Sequence, residues 1–209
     1  MATRTPRRGG NSSRVLATLA VLGAIGAIAT VGTYSLFTST VSGTETVSSG
    51  TVTIALGASG PANRLSVAAT NIAPNDTIER AVNLQNTGTI DLSTVTLTTT
   101  ATTSSLLDTD ATNGLQMVID KCSVAWTETL VSAGIYTYTC SGTASTIVST
   151  RAVIGAAIAM PGLAALTAGS TDNLRVTLTL PGTAGNTFQN KTSTINYAFT
   201  ATQRAGTNR

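Results

Sequence analysis

The chain has 209 residues, of which 10% are charged and 4% are aromatic, and it contains no histidine. Its formal charge of +3 arises at the N-terminus: Arg4, Arg7, Arg8 and Arg14 precede the first apolar run, and the other eight of the twelve basic residues face nine acidic ones. We expect no nucleic-acid partner, because the rest of the chain has neither a basic patch nor an aromatic platform. The absence of histidine excludes Ser-His-Asp and Cys-His nucleophilic sites and the HExxH zinc helix.

An uncharged apolar segment, residues 15–32, follows the arginine-bearing leader. This order is typical of a secretory signal, and the small residues Thr33 and Ser35 occupy the −3 and −1 positions of a peptidase site. We predict a signal peptide over residues 1–35 that is cleaved between Ser35 and Leu36. The alternative is an uncleaved membrane anchor, since a spanning helix needs about 20 apolar residues. We expect a secreted or cell-surface protein that contacts the membrane only through this segment.

Residues 36–49 follow the predicted cleavage site and are β-prone, low in charge and free of proline. From Leu36 onward, residues of one parity carry apolar groups among small ones: Phe37, Ser39, Val41, Gly43, Glu45 and Val47. A free strand of this kind adds to the open edge of another subunit through main-chain hydrogen bonds, and head-to-tail repetition of that contact builds a filament. We predict a donor strand here, with a flexible leader or the first strand of the chain's own domain as the alternatives.

Alternation of apolar and polar residues predicts strands throughout the domain at residues 50–204. The predicted strands are 51–56, 78–84, 95–97, 115–119, 135–139, 174–180 and 195–202. Residues 86–89 form a turn in which Gly88 can take a positive φ. Strands wetted on one face imply an all-β, antiparallel two-sheet sandwich, jelly-roll or Ig-like. One helix is predicted at residues 146–159, before Pro161 and Gly162, and residues 205–209 form a polar tail.

Cys122 and Cys140 are the only cysteines. In an oxidising compartment the simplest expectation is a disulfide that stabilises the fold by roughly 3 kcal/mol. Asp108 and Asp110 open a run of oxygen-bearing side chains similar to a calcium loop, but its spacing departs from the EF-hand and Ile119 stands where the closing Glu belongs. A plain turn is the preferred interpretation, and calcium binding stays open. We expect no catalytic residue, no metal and no cofactor.

Several segments of the chain resemble the TasA and camelysin (CalY) family. They are residues 32–37 with 49–54 (signal and first strand), 74–80 with 84–91 (a strand between two turns) and 195–203 (the last strand). Asn75 replaces the usual glycine of the first turn, and asparagine tolerates the left-handed conformation. The cysteine pair is a second departure from the best-known members.

The resemblance implies a secreted jelly-roll subunit that a signal peptidase of the SipW type releases. Such subunits polymerise into extracellular biofilm-matrix fibres, in which the freed N-terminal segment is the donor strand for the next copy. The family also carries a peptidase label through camelysin. We expect a structural filament subunit whose partners are further copies of itself and the signal peptidase. A monomeric adhesive surface domain is the alternative, and a peptidase is third because the chain has no histidine.

Overall fold

The computed structural model describes residues 49–65 and 72–207. The predicted signal, its cleavage site between Ser35 and Leu36, and the predicted donor residues Phe37, Ser39, Val41, Gly43 and Val47 lie outside the described residues, so they stay predictions. No helix in the described ranges is long and apolar enough to cross a membrane.

Ten strands make up most of the described chain. They are β1 (Ile54–Leu56), β2 (Thr77–Asn86), β3 (Leu92–Thr103), β4 (Gln116–Cys122), β5 (Thr127–Ser132), β6 (Ile135–Thr139), β7 (Ala144–Ala152), β8 (Gly155–Ala159), β9 (Thr171–Thr179) and β10 (Thr194–Gln203). One short helix, α1 (Leu106–Thr109), and two 3-10 turns, Ala164–Leu166 and Asn186–Phe188, lie between them.

The strands form two packed sheets and one separate hairpin. The larger sheet has the order β1-β2-β9-β4-β7, the smaller has the order β10-β3-β8, and β5 pairs with β6. All of these pairings are antiparallel. Inward residues of both sheets, such as Leu84, Leu97 and Val176, share one core. The predicted all-β, antiparallel two-sheet fold is therefore confirmed.

The helix predicted over residues 146–159 is wrong, because this segment contributes two strands to different sheets. β7 pairs with β4 in the larger sheet, and β8 pairs with β3 in the smaller one. Val148 and Ile158 both point into the core, and Val153 is buried where the chain passes between the sheets. Two strands meeting at such a corner place apolar residues at spacings similar to those of a helix.

Two local expectations about turns are tested by backbone geometry. Asn75 has a φ of 74°, so it occupies the left-handed region as expected. Gly88 does not have a positive φ; instead, a Cβ there would lie 2.3 Å from the carbonyl oxygen of Thr51. Glycine is therefore needed at this turn for the close approach of the chain that leads into β1.

A disulfide joins Cys122, at the end of β4, to Cys140, which follows β6. The two Cα atoms are 5.7 Å apart, within the range that a disulfide spans. The predicted bond is therefore present in the structure. It closes the loop that contains the β5–β6 hairpin.

Candidate functional site

An open apolar groove lies between the edges of the two sheets. β1 is the edge strand of the larger sheet and β10 is the edge strand of the smaller one. The groove between them has a volume of about 170 Å³. Its lining is apolar apart from one phenol: Ile54, Ala55, Leu56, Leu84, Tyr197 and Phe199.

The sequence leaves this side of the sandwich incompletely covered. β1 has only three paired residues, from Ile54 opposite Asn86 to Leu56 opposite Leu84. β10 runs for ten residues and, among the described strands, pairs only with β3. The opposite side differs, because β7 continues directly into β8 and the chain itself joins the two sheets there.

Alternation along β10 turns its larger side chains toward the groove. Tyr197 and Phe199 are half-buried, whereas the intervening Ala198 and the flanking Asn196 and Thr200 are exposed. Burial raises the pKa of the Tyr197 phenol, as expected for a low-polarity site. The unpaired edge of β10 and this apolar lining are the two features that an added strand requires.

Residues 63–64 border the part of the β2 edge that β1 does not cover. Asn63 forms an isolated antiparallel bridge with Val82. The backbone N–H of Arg64 donates to the carbonyl of Ala81 at 2.9 Å. β1 and residues 63–64 therefore cover successive parts of the same edge of β2.

The described chain begins at one end of the sandwich. Thr51 accepts a hydrogen bond from the N–H of Thr89 at 3.0 Å, and its own N–H donates to the Thr89 hydroxyl at 3.0 Å. A Cβ at Gly50 would lie 2.3 Å from the side chain of Ile90, so only glycine fits this contact. The N–H of Arg204 bonds the carbonyl of Asp91 and places the end of β10 nearby. Gly50 and Thr51 thus lie at the end of the sandwich where β2 and β10 both finish.

Asp108 and Asp110 are brought together with hydrogen-bond donors and not with further carboxylates. Asp108 accepts bonds from the Ser105 N–H at 2.7 Å and from the Ser104 and Ser193 hydroxyls, and it caps α1. Burial raises the pKa of Asp108, but these hydrogen bonds outweigh it and lower the pKa overall. The N–H groups of Asn113 and Thr112 lower the pKa of Asp110. The preferred interpretation, a plain turn, agrees with this geometry.

Every other carboxylate in the described ranges also accepts at least one hydrogen bond. Of the nine acidic residues, only Glu45 lies outside them. The remaining acidic side chains all accept hydrogen bonds: Asp76, Glu79, Asp91, Asp120, Glu128 and Asp172. The described part of the chain holds no group of three or more His, Cys, Asp or Glu side chains able to bind a metal ion.

The groove was not foreseen from the sequence, although part of its signal is visible there. Tyr197 and Phe199 share a face of the last predicted strand and are its only aromatic side chains. Leu84 lies more than a hundred residues earlier in the chain, so its contact with that face depends on how the sheets stack. The sequence predicts a donor strand, and it does not predict this groove.

The sequence model of a family described as camelysin metallo-endopeptidase matches residues 14–208, nearly the whole chain. No curated protein matches. A catalytic metal of such an enzyme would need ligands that the described residues do not supply, because both cysteines form the disulfide and the carboxylates there face hydrogen-bond donors.

Proposed function

The chain belongs to the camelysin metallo-endopeptidase family, and from that premise we propose that it is a secreted structural subunit of extracellular filaments. In this proposal, residues 36–47 of one copy add as a strand to the groove of the next copy. The observation that supports it most is the apolar groove between two unpaired strand edges, β1 and β10. Such an edge is a template for another strand.

The proposed donor strand is long enough to pair with β10, and its apolar face suits the lining of the groove. Twelve extended residues span about 40 Å, and the ten residues of β10 span about 33 Å. Phe37, Val41 and Val47 lie on one face of the donor, and each contributes about 1.5–3 kcal/mol when it is fully buried. Ser39 and Gly43 on the same face fit between the larger side chains of the lining.

The point of attachment sets the direction of the strand. Thr51 is bound to Thr89 at the end of the sandwich where Asn86 lies. For growth without limit, this end must face the opposite end of the next copy, because two identical ends that meet produce a closed dimer. The donor strand then runs antiparallel to β10, with Leu36 near the Gln203 end and Val47 leaving the groove near Thr194.

Processing controls assembly in this proposal. Residues 36–47 become a chain terminus only after cleavage between Ser35 and Leu36. A signal peptidase of the SipW type is the proposed processing enzyme, and the filament forms outside the cell. An adhesive domain that stays monomeric is the alternative that the following experiment tests.

The experiment compares four forms of the processed chain by negative-stain microscopy. The chain that begins at Leu36 is expected to form fibres, and the chain that begins at Ser49 is expected to stay monomeric. Val41→Asp, on the inward face of the donor, is expected to prevent assembly, whereas the matched change Ser42→Asp on the opposite face is tolerated. Equal fibre formation by all of these chains would refute donor-strand addition.

The family's name calls for a separate test of proteolysis. A casein-cleavage assay of the processed chain is expected to show no activity that a chelator removes, because the described residues offer no ligand cluster. Cleavage that is lost with EDTA and restored by Zn²⁺ would contradict a purely structural role.

A further inference from the structure

The β5–β6 hairpin is fixed across the outer face of the larger sheet by contacts on several strands. The Cys122–Cys140 disulfide holds its base. Trp126 donates to the carbonyl of Asn173 at 2.9 Å, and its ring lies 4.6 Å from the guanidinium carbon of Arg175. A cation over an indole ring at this distance is an attractive contact.

The β5–β6 hairpin also has polar anchors close to its base. Glu128 accepts two bonds from the Arg64 guanidinium, at 2.7 and 2.9 Å, and one from the Tyr138 hydroxyl at 2.9 Å. The N–H of Tyr138 donates to Glu79 at 3.0 Å. The hairpin is therefore an arm that is anchored by the disulfide and by the Glu128–Tyr138 pair.

The tip of this arm is apolar and exposed. Leu130 and Val131 are each 61% exposed and Ile135 is 54% exposed, the highest values for large hydrophobic residues in the described part of the chain. Val124, outside the tip, reaches 43%. Large apolar side chains exposed at the tip of a hairpin are typical of an interaction surface.

The tip lies beside the first half of β2. The Arg80 guanidinium on β2 donates to the carbonyl of Gly134 in the hairpin turn at 3.3 Å. The next residue of β2, Ala81, accepts a hydrogen bond from the N–H of Arg64. The tip therefore lies toward the Thr77 end of β2, away from Asn86.

We propose that Leu130, Val131 and Ile135 form a second contact with the neighbouring copy of this chain, at the point where its donor strand enters the groove. This inference rests on the proposed function. A donor strand antiparallel to β10 leaves the groove on the side of the tip. The domain of the donating copy, which begins at Ser49, then places the exposed side chain of Val52 beside the tip of the accepting copy. Burial of these apolar groups on both copies supplies the attraction.

The test measures the critical concentration for fibre assembly of the processed chain. The variant Leu130→Ser, Val131→Thr, Ile135→Thr is expected to raise this concentration roughly tenfold or more. Val124→Thr, a matched loss of an exposed apolar residue outside the tip, is expected to change it less than twofold. An unchanged denaturant midpoint verifies that the tip variant is folded.

A second measurement is independent of folding effects. A photo-crosslinking amino acid in place of Val131 is expected to join the tip to residues 36–52 of another copy in fibres. Crosslinks confined to one chain, or a tip variant that assembles at the wild-type concentration, would overturn the inference while leaving donor-strand addition intact. Failure of the wild-type chain to form fibres would instead overturn the proposed function. Tip-dependent sedimentation with anionic phospholipid vesicles, with unchanged assembly, would assign the tip to lipid and overturn the inference.

Discussion

Removing the disulfide by the double change Cys122→Ala, Cys140→Ala is expected to lower the free energy of unfolding by about 3 kcal/mol. The bond joins residues 18 apart. Closing a loop of this length restricts the unfolded chain, and the chain-entropy relation gives this value at 25 °C. For a unit of this size the same loss lowers the melting temperature by roughly 6–12 °C.

Urea unfolding followed by Trp126 fluorescence measures this loss. A reductant is expected to destabilise the wild-type chain by the same amount. The double variant has no disulfide to reduce, so its stability is expected to stay unchanged, and it serves as the control for other effects of the reductant. The native fluorescence of Trp126 is expected to persist, because its contacts with Asn173 and Arg175 do not involve the disulfide. A loss below about 1 kcal/mol would refute the reasoning that loop closure dominates the effect.

Three further changes test the groove, the ion pairs and a turn. Phe199→Ser is expected to raise the critical concentration for fibre assembly at least about tenfold, measured by sedimentation, whereas Thr200→Ser on the exposed face does not. The hydrogen bonds from Arg64 lower the pKa of Glu128, although burial opposes this shift. The contribution of this ion pair to stability is therefore fully present above the pKa of Glu128 in the unfolded chain, and it is lost as the pH falls through the lower pKa of Glu128 in the folded chain. Acid titration of unfolding should therefore show a shallower decline for Glu128→Gln, and an identical profile would contradict the assignment. Asn75→Val is expected to cost about 1–2 kcal/mol in urea unfolding because of its φ of 74°, while Asn75→Gly is neutral or stabilising.

The strands that the sequence predicted are those with one buried face. In β9, Leu174, Val176 and Leu178 alternate with polar residues, and β10 shows the same period. β5 was missed because Leu130 and Val131 are adjacent and both exposed, so they show no alternation. The pattern identified the other strand of this hairpin, β6, in which Tyr138 is buried, and it missed β5, whose apolar side chains lie outside the core.

The candidate site depends on contacts between distant parts of the chain. Arg175 on β9 bonds Glu79 on β2 at 3.0 Å and Asp120 on β4 at 2.8 Å. Such pairs follow from the strand order β1-β2-β9-β4-β7, which the sequence does not specify. The groove depends in the same way on which strands become the edges of the sheets.

The short attachment at Thr51 has a mechanical consequence for a filament. Gly50 and Thr51 contact Ile90 and Thr89, so the segment that leads into β1 is held against the domain. Tension applied to the donor strand passes directly into β1 and then along β2. In this geometry the hydrogen bonds of each ladder are loaded in shear and must break together, so a filament of these subunits is expected to resist extension better than bending.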